Sequence, residues 1–213
     1  MLSWRAWLET IHHLALALWL GVIVAAGAFA AIVFPTMKSL EPALPGFAGY
    51  SGPHWRIAGG KLGQQIFLLT DIVQFACVVV TVATLLCLFV TLGASPQRRR
   101  PAAWFRTLGL SLAFASAAGQ ILIVGPQMNG ALKNFWAAAG AGNAELAAIH
   151  QGAFDQLHPI ASWLLAGSAV GLLAALTAGI WSLARPWAAG PSSGEPSEAP
   201  RYPEPALLKS RRA

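Results

Sequence analysis

Charged side chains are scarce in this chain, since Asp, Glu, Lys and Arg make up only 10% of its 213 residues. Soluble domains carry about 25% charged residues, and 56% of this sequence is hydrophobic. Water is therefore not expected to be the main solvent around the folded chain. The length favours a single domain.

Cysteine is also rare, and Cys77 and Cys87 are the two occurrences. On one helix their Cα atoms would be about 15 Å apart, which is too far for a disulfide. CxxC, CxxCH, P-loop, HExxH and GxSxG patterns are missing, so the sequence carries no catalytic signature and no cofactor-attachment motif. We therefore expect a protein that is not an enzyme and that holds no cofactor.

The sequence does contain four long apolar runs, each near the about 20 residues that a transmembrane helix needs. These runs cover about residues 11–34, 63–92, 104–124 and 159–184. The first should end at Pro35, and it is too long for a cleaved signal peptide. The runs predict an all-α fold, an integral membrane up-down four-helix bundle over residues 1–185. Residues 186–213 have a low-complexity composition that predicts a disordered cytoplasmic tail.

Basic residues lie at the ends of the apolar runs and are unevenly shared between the two sides of the predicted bundle. One side collects Arg5, Arg98, Arg99, Arg100, Arg106, Arg185, Arg201, Lys209, Arg211 and Arg212, and the other Lys38, Arg56, Lys61 and Lys133. The positive-inside rule then places both termini in the cytoplasm. The lipid bilayer is the expected partner and nucleic acid is not. The Arg-rich inner linker and the lack of a transit-type N-terminus favour a multi-pass protein of a bacterial inner membrane.

Small residues four positions apart predict close helix packing at three places. These pairs are Gly21 with Ala25, Gly27 with Ala31, and Gly167 with Gly171. Such faces also suit a homo-oligomer or an accessory subunit of a larger membrane complex. Between the spans, the Pro- and Gly-rich segment 36–60 is expected on the membrane surface, and Asn143 is a predicted helix N-cap.

Polar residues inside an apolar span need a physical reason, because an ionisable group in lipid costs about 2.5–3.5 kcal/mol on insertion scales. Asp71 is the one acid well inside an apolar run. Gln64, Asp71, Gln74 and Thr81 follow spacings of seven, three and seven residues. At about 100° per residue they form one face of a helix, which we expect to point into the bundle.

Two other spans bring polar residues to the same outer half of the predicted bundle. Gln120 lies in the third span, and Asp155, His158 and Ser162 share a face at the start of the fourth. If the helices continue through Pro159 and Pro126, the carbonyls of residues 155 and 122 lose their donors. We expect a polar cluster of Asp71, Gln74, Gln120, Asp155 and His158. It is either structural or a binding site for a small solute or ion, with possible transport.

The histidines leave a metal or haem site open as an alternative, of a copper-handling or redox type. The candidate ligands are His54, His150 and His158 on the outer side and His12 and His13 on the inner side. His13 and His158 lie at different depths, which makes them a poor axial pair for one haem. His150 and His158 are eight residues apart, not the four of a chelating helical pair.

Three passages resemble a family of four-helix membrane proteins without an agreed activity, which includes transmembrane protein 205. They are Leu-Ala-Leu-Trp-Leu-Gly21 continuing to Ile-Val-Phe-Pro35, then Ile-Ala-Gly-Gly-Lys-Leu-Gly-Gln-Gln-Ile-Phe67, and finally Gly-Pro-Gln-Met128 followed by Phe-Asp-Gln-Leu-His158. They occur in the family's order, and the chain departs from the pattern at Pro159. The resemblance implies a four-helix integral membrane protein. A weaker likeness links the stretch before Trp19 and Gly21 to the His-x-Leu-Ala-x-x-x-Trp-x-Gly start of copper-resistance membrane proteins.

The orientation gives a first testable prediction. Reporter domains that are active on one side of the membrane only, fused in turn to Met1 and to Ala213, should both report the cytoplasm. A fusion within segment 36–60 serves as the control and should report the opposite side. Termini found on different sides would contradict the predicted even number of crossings.

Overall fold

The computed structural model describes residues 4–92 and 101–184, so the predicted tail lies outside the described residues. Within them the fold is all helical. The helices are α1 (Trp4–Leu40), α2 (His54–Leu92), α3 (Pro101–Gly119), α4 (Gly125–Gly140) and α5 (Ala144–Ala184), with a short 3₁₀ helix at Pro45–Phe47. A π-helical segment, Gln120–Val124, joins α3 to α4 without a break.

Four helical rods are long and apolar enough to cross a membrane, because the π-helical segment makes α3 and α4 one rod. α1 has 37 residues, about 55 Å at 1.5 Å per residue, against a hydrocarbon core of about 30 Å. The fold is therefore compatible with the predicted four-helix membrane bundle. Large apolar side chains such as Leu122, Trp163 and Val170 are exposed on its outside, as an apolar solvent would require.

The helices extend further than the apolar runs predicted, and all four do so at the same end. α1 runs through Pro35 to Leu40, so the prediction that Pro35 ends the first helix is wrong. α2 begins at His54, and the third rod continues to Gly140. Most of segment 36–60 is therefore helical. Proline at these positions removes one hydrogen bond but does not force the helix to end when the flanking turns are otherwise satisfied.

We call the end of the bundle that carries the 40–54 connection and the 140–144 turn the loop end, and the opposite end the terminal end. At the loop end Gly142, at φ 73°, closes α4. The N–H of Asn143 bonds to Ala138 O at 3.0 Å, which is a Schellman arrangement. The Asn143 side chain then accepts the Leu146 N–H at 3.0 Å, which confirms Asn143 as the N-cap of α5.

The rods pack antiparallel in the order α2, α1, α5, α3 with α4, and α2 meets α4 only at the loop end. Two apolar cores result. One fills the middle of the bundle around Leu16, Trp19, Cys77, Ala113 and Leu172. The other lies at the loop end, where Tyr50 and Ile57 pack with Phe135, Ala139 and Ala147.

A close helix crossing joins α3 and α5. A Cβ added at Gly171 would lie 2.4 Å from the Gly109 carbonyl oxygen, and one at Gly109 would lie 2.6 Å from that of Gly171. The predicted close packing at Gly167 and Gly171 is thus confirmed, while Gly109 was not predicted. At Gly21 and Gly27 nothing lies within 4 Å of an added Cβ, so close packing there is wrong for contacts within the described chain.

This crossing predicts opposite effects of two chemically identical substitutions. Gly171→Ala should lower the free energy of unfolding in detergent by about 1–3 kcal/mol, since backbone must move apart to admit the methyl group. Gly27→Ala, in open space on α1, should be neutral or stabilise by up to about 1 kcal/mol through helix propensity. Denaturant titrations followed by circular dichroism measure both. Equal effects would contradict the crossing.

Candidate functional site

A cavity of about 330 Å³ lies in the loop-end half of the bundle, between α2, α4, α5 and the end of α1. Aromatic side chains form much of its surface: Phe34, Trp55, Phe67, Phe135 and Phe154. Its polar lining consists of Arg56, Gln64, Asp71, Gln120, Asn129, Gln151, Asp155, His158 and Ser162. The cavity follows α2 from Arg56 to Asp71, a rise of about 22 Å, so it is long and narrow.

Four of the five residues of the predicted polar cluster line this one cavity: Asp71, Gln120, Asp155 and His158. They come from α2, the π-helical segment and α5, so the structure brings together residues from three predicted spans. Gln74 is the exception. It is fully buried one turn beyond Asp71 and does not line the cavity.

Asp71 lies at the inner end of the cavity and is half-buried. The Gln74 amide donates to Asp71 Oδ1 at 3.4 Å. On the other side Gly125 approaches closely, since a Cβ added there would lie 4.0 Å from Asp71 Oδ2. None of the three ion pairs found among the described residues includes Asp71. Its carboxylate therefore faces the cavity without a cationic partner from the described chain.

Gln74 has a structural partner instead. The indole N–H of Trp19 donates to Gln74 Oε1 at 2.9 Å, and both side chains are 0% exposed. Phe114 packs against Trp19 with ring centroids 5.7 Å apart. This hydrogen bond joins α1 to α2 inside the central apolar core. It lies between the cavity and the terminal end of the bundle.

An ion pair lies at the loop-end mouth of the cavity. Arg56 Nη1 is 3.3 Å from Asp155 Oδ2, with side chains 39% and 55% exposed. The Gln151 amide oxygen, in its better-satisfied orientation, also accepts from the Arg56 guanidinium. The sequence does not predict Arg56 and Gln151 as site residues. Only the long-range contact between α2 and α5 reveals them, because their partners are far apart in sequence.

A hydrogen bond from Gln64 Nε2 to Asn129 Oδ1, 3.2 Å long, crosses from α2 to α4 over the cavity. Asn129 was also not predicted. Its place on α4 depends on the third rod continuing past Val124, where the predicted span ends, and through Pro126.

The π-helical segment shapes the opposite side of the cavity. The Gly125 N–H donates to Gln120 O, five residues back, and Pro126 has no N–H. The carbonyls of Ile121 and Leu122 therefore lose their usual α-helical donors. The side chain of Gln120 is 7% exposed, and its Oε1 has no hydrogen-bond partner among the described residues. Gln120 thus lines the cavity with a buried side chain whose acceptor oxygen is unsatisfied.

A second, shallower groove reaches Asp71 from the outside of the bundle, between α2 and the π-helical segment. Leu68, Ile72, Phe75 and Ile121 line it, and it shares Leu68, Asp71, Gly125 and Asn129 with the cavity. Leu68, Ile72 and Phe75 are each more than half exposed. The same carboxylate is therefore accessible from two directions.

The structure separates the five candidate metal ligands. His54 is held on both ring nitrogens, since Leu44 N–H donates to Nδ1 at 3.0 Å and Nε2 donates to Tyr50 O at 3.1 Å. His158 stacks on Phe154 with centroids 5.5 Å apart, and His150 does not line the cavity. Over residues 4–92 and 101–184, no three His, Cys, Asp or Glu side chains are grouped so as to hold a metal ion.

His12 and His13 belong to a second polar cluster at the terminal end. His12 Nδ1 lies 2.9 Å from Thr84 Oγ1, and His13 Nδ1 donates to Glu9 O at 2.7 Å. Arg106 reaches Glu9 from α3 at 3.4 Å. His13 also lies against Gly179, 21 residues and about 31 Å along α5 from His158. The two histidines are therefore at opposite ends, as the sequence predicts.

The fold and the cavity together define a class, an all-helical bundle of four apolar rods with a polar and aromatic cavity near one end. No protein-family model, curated protein or solved structure matches the chain. The resemblance to the four-helix family and to the copper-resistance proteins remains a prediction from the motifs.

The Trp19–Gln74 pair gives a double-mutant prediction. Trp19→Phe should cost about 1–3 kcal/mol beyond the change in packing, because it leaves the buried Gln74 oxygen without a donor. Adding Gln74→Leu removes that unpaired oxygen. The loss in unfolding free energy of the double variant should therefore be smaller than the sum of the losses of the two single variants. Unfolding in detergent, followed by circular dichroism, measures the cycle. Additive losses would show that the hydrogen bond contributes nothing to stability.

Proposed function

We propose that the chain is a multi-pass membrane protein that binds a small solute in the loop-end cavity, on the outer side in the predicted orientation. The observation that supports this most directly is the position of Asp71. An ionisable side chain at membrane depth is costly and marks a functional site by default when it faces a cavity. Here it faces one with no cationic partner among the described residues.

The lining indicates what kind of solute fits. Ligand sites are mostly apolar clefts of about 300–1,000 Å³ with a few placed polar groups, and this cavity of about 330 Å³ is at the small end. Five aromatic side chains supply apolar area, while Asp71 and Gln120 supply polar contacts. A solute with one polar group and a slim apolar body matches this surface.

A purely structural role for the polar cluster is the competing explanation, and the contacts of its residues support assigning some to each role. Gln74 is saturated by Trp19 and contributes to packing. Asp155 is paired with Arg56. Among the described residues, Asp71 has no cationic partner and Gln120 Oε1 has no hydrogen-bond partner, and both residues line the cavity. A structural role alone gives no reason for that.

Filling the cavity tests the proposal without knowledge of the solute. Ser162 lines the cavity and is exposed, so Ser162→Trp should occupy its volume. Thermal unfolding in detergent is recorded with a charge-diverse library of small solutes. At least one solute class should raise the melting temperature of the wild type by about 5–10 °C at 100 times its Kd. That shift should disappear in Ser162→Trp.

Ser111→Trp is the matched control, because Ser111 is exposed on α3 and does not line the cavity. It should keep the solute-induced shift. If no solute distinguishes Ser162→Trp from Ser111→Trp, the cavity is not a binding site and the cluster is structural.

A further inference from the structure

The inner end of the cavity carries two acceptor groups. They are the Asp71 carboxylate and Gln120 Oε1, and the second is buried without a partner among the described residues. In the adjoining outer groove, the Ile121 carbonyl lacks its usual α-helical donor because the Gly125 N–H bonds to Gln120 O instead. A ligand that satisfies this end of the cavity must therefore bring hydrogen-bond donors.

The charged side chains that line the cavity also favour a ligand with hydrogen-bond donors. Its ionic side chains are Arg56, Asp71 and Asp155. Arg56 and Asp155 neutralise each other at the mouth, 3.3 Å apart, about 22 Å along α2 from Asp71. The remaining carboxylate has no counter-charge among the described residues, so a positively charged group is favoured at the inner end.

The rest of the ligand must be apolar and slim. The aromatic lining favours an apolar body and adds cation–π attraction for a cationic head. The outer groove of Leu68, Ile72, Phe75 and Ile121 ends at the same carboxylate. A molecule whose apolar part enters lipid can therefore reach Asp71 from the side of the bundle.

Resting on the proposed function, we infer that the cavity takes an amphipathic amine whose protonated nitrogen donates its N–H groups to Asp71 and Gln120. An acid would be repelled by Asp71. A neutral alcohol would leave the carboxylate without a counter-charge. A quaternary ammonium has the charge but no N–H donor, so it would leave the Gln120 oxygen unpaired.

Three probes with one six-carbon chain separate these properties: hexylamine, hexyltrimethylammonium and hexanol. Binding to the purified full chain in lipid nanodiscs is measured by calorimetry at pH 7, with empty nanodiscs subtracted. Hexylamine should bind at least about 10-fold more tightly than hexyltrimethylammonium, since a hydrogen bond to a charged group is lost. Hexanol should bind more weakly than either.

Two substitutions locate the contacts. Asp71→Asn and Gln120→Leu should each weaken hexylamine binding by about 10–100-fold. Gln120→Leu should leave hexyltrimethylammonium binding unchanged, because that probe has no N–H for the amide. Gln65→Leu is the control, since Gln65 is exposed on α2 and outside the cavity. If Asp71→Asn does not fold, Gln120→Leu and the series of three probes still test the amine assignment.

Equal binding of hexylamine and hexyltrimethylammonium, or full hexylamine binding by Gln120→Leu, would overturn the amine assignment. In that case a solute shift that Ser162→Trp abolishes would leave the proposed function intact. Without any such shift, the proposed function and the amine assignment fail together.

Discussion

The hydrogen bond between Trp19 and Gln74 lies in the centre of the bundle, where neither side chain is exposed. In a membrane interior an unpaired polar group costs several kcal/mol, so each polar side chain must be paired within the protein. Because Trp19 donates a hydrogen bond to Gln74, the polar face of α2 can be buried in the central apolar core without an unpaired Gln74 oxygen. The hydrogen bond also places the indole as an apolar layer between the loop-end and terminal-end clusters. The two ends of the bundle can therefore differ in chemistry.

They do differ. At the terminal end, Glu9 lies within ion-pairing distance of both His13 and Arg106, so both signs of charge meet in one compact cluster. Four of its buried atoms, His12 Nε2, His13 Nε2, Thr81 Oγ1 and Arg106 Nε, have no partner among the described residues, and they include donors and acceptors. At the loop end the unpartnered Gln120 oxygen lines the cavity together with the Asp71 carboxylate, while the unpartnered Trp136 indole N–H lies outside the cavity. A mixed cluster can be completed by water, whereas acceptors around a carboxylate favour a cation.

The sequence predicts the features that depend on local periodicity. The spacing of Gln64, Asp71, Gln74 and Thr81 is enough to place them on one inward face, and Gln74 and Thr81 are fully buried. Asn143 needs only its neighbours to cap α5. The helix ends were not predictable in this way, because the apolar runs mark where lipid would be and not where helical hydrogen bonding stops. Pro35 and Pro159 both lie inside helices for this reason.

Contacts between residues that are far apart in the sequence could not be predicted either. Arg56 and Asp155 are 99 residues apart, and Gly109 meets Gly171 only because α3 and α5 cross there. The π-helical segment could be predicted from the sequence only in part. Pro126 is visible in the sequence, but its effect on hydrogen bonding could have been a kink or a helix end as well.

The π-helical segment also connects the fold to the proposed site. A regular α-helix through residues 120–126 would lack a single donor, at Pro126. Here the Gly125 N–H is used five residues back as well, so the Ile121 carbonyl also loses its usual donor, and Ile121 lines the outer groove beside Asp71. Together with the unpaired Gln120 oxygen, this concentrates unsatisfied acceptors beside one carboxylate. The proposed ligand, a cation that carries hydrogen-bond donors, would supply partners for these acceptors and a counter-charge for Asp71 in one molecule.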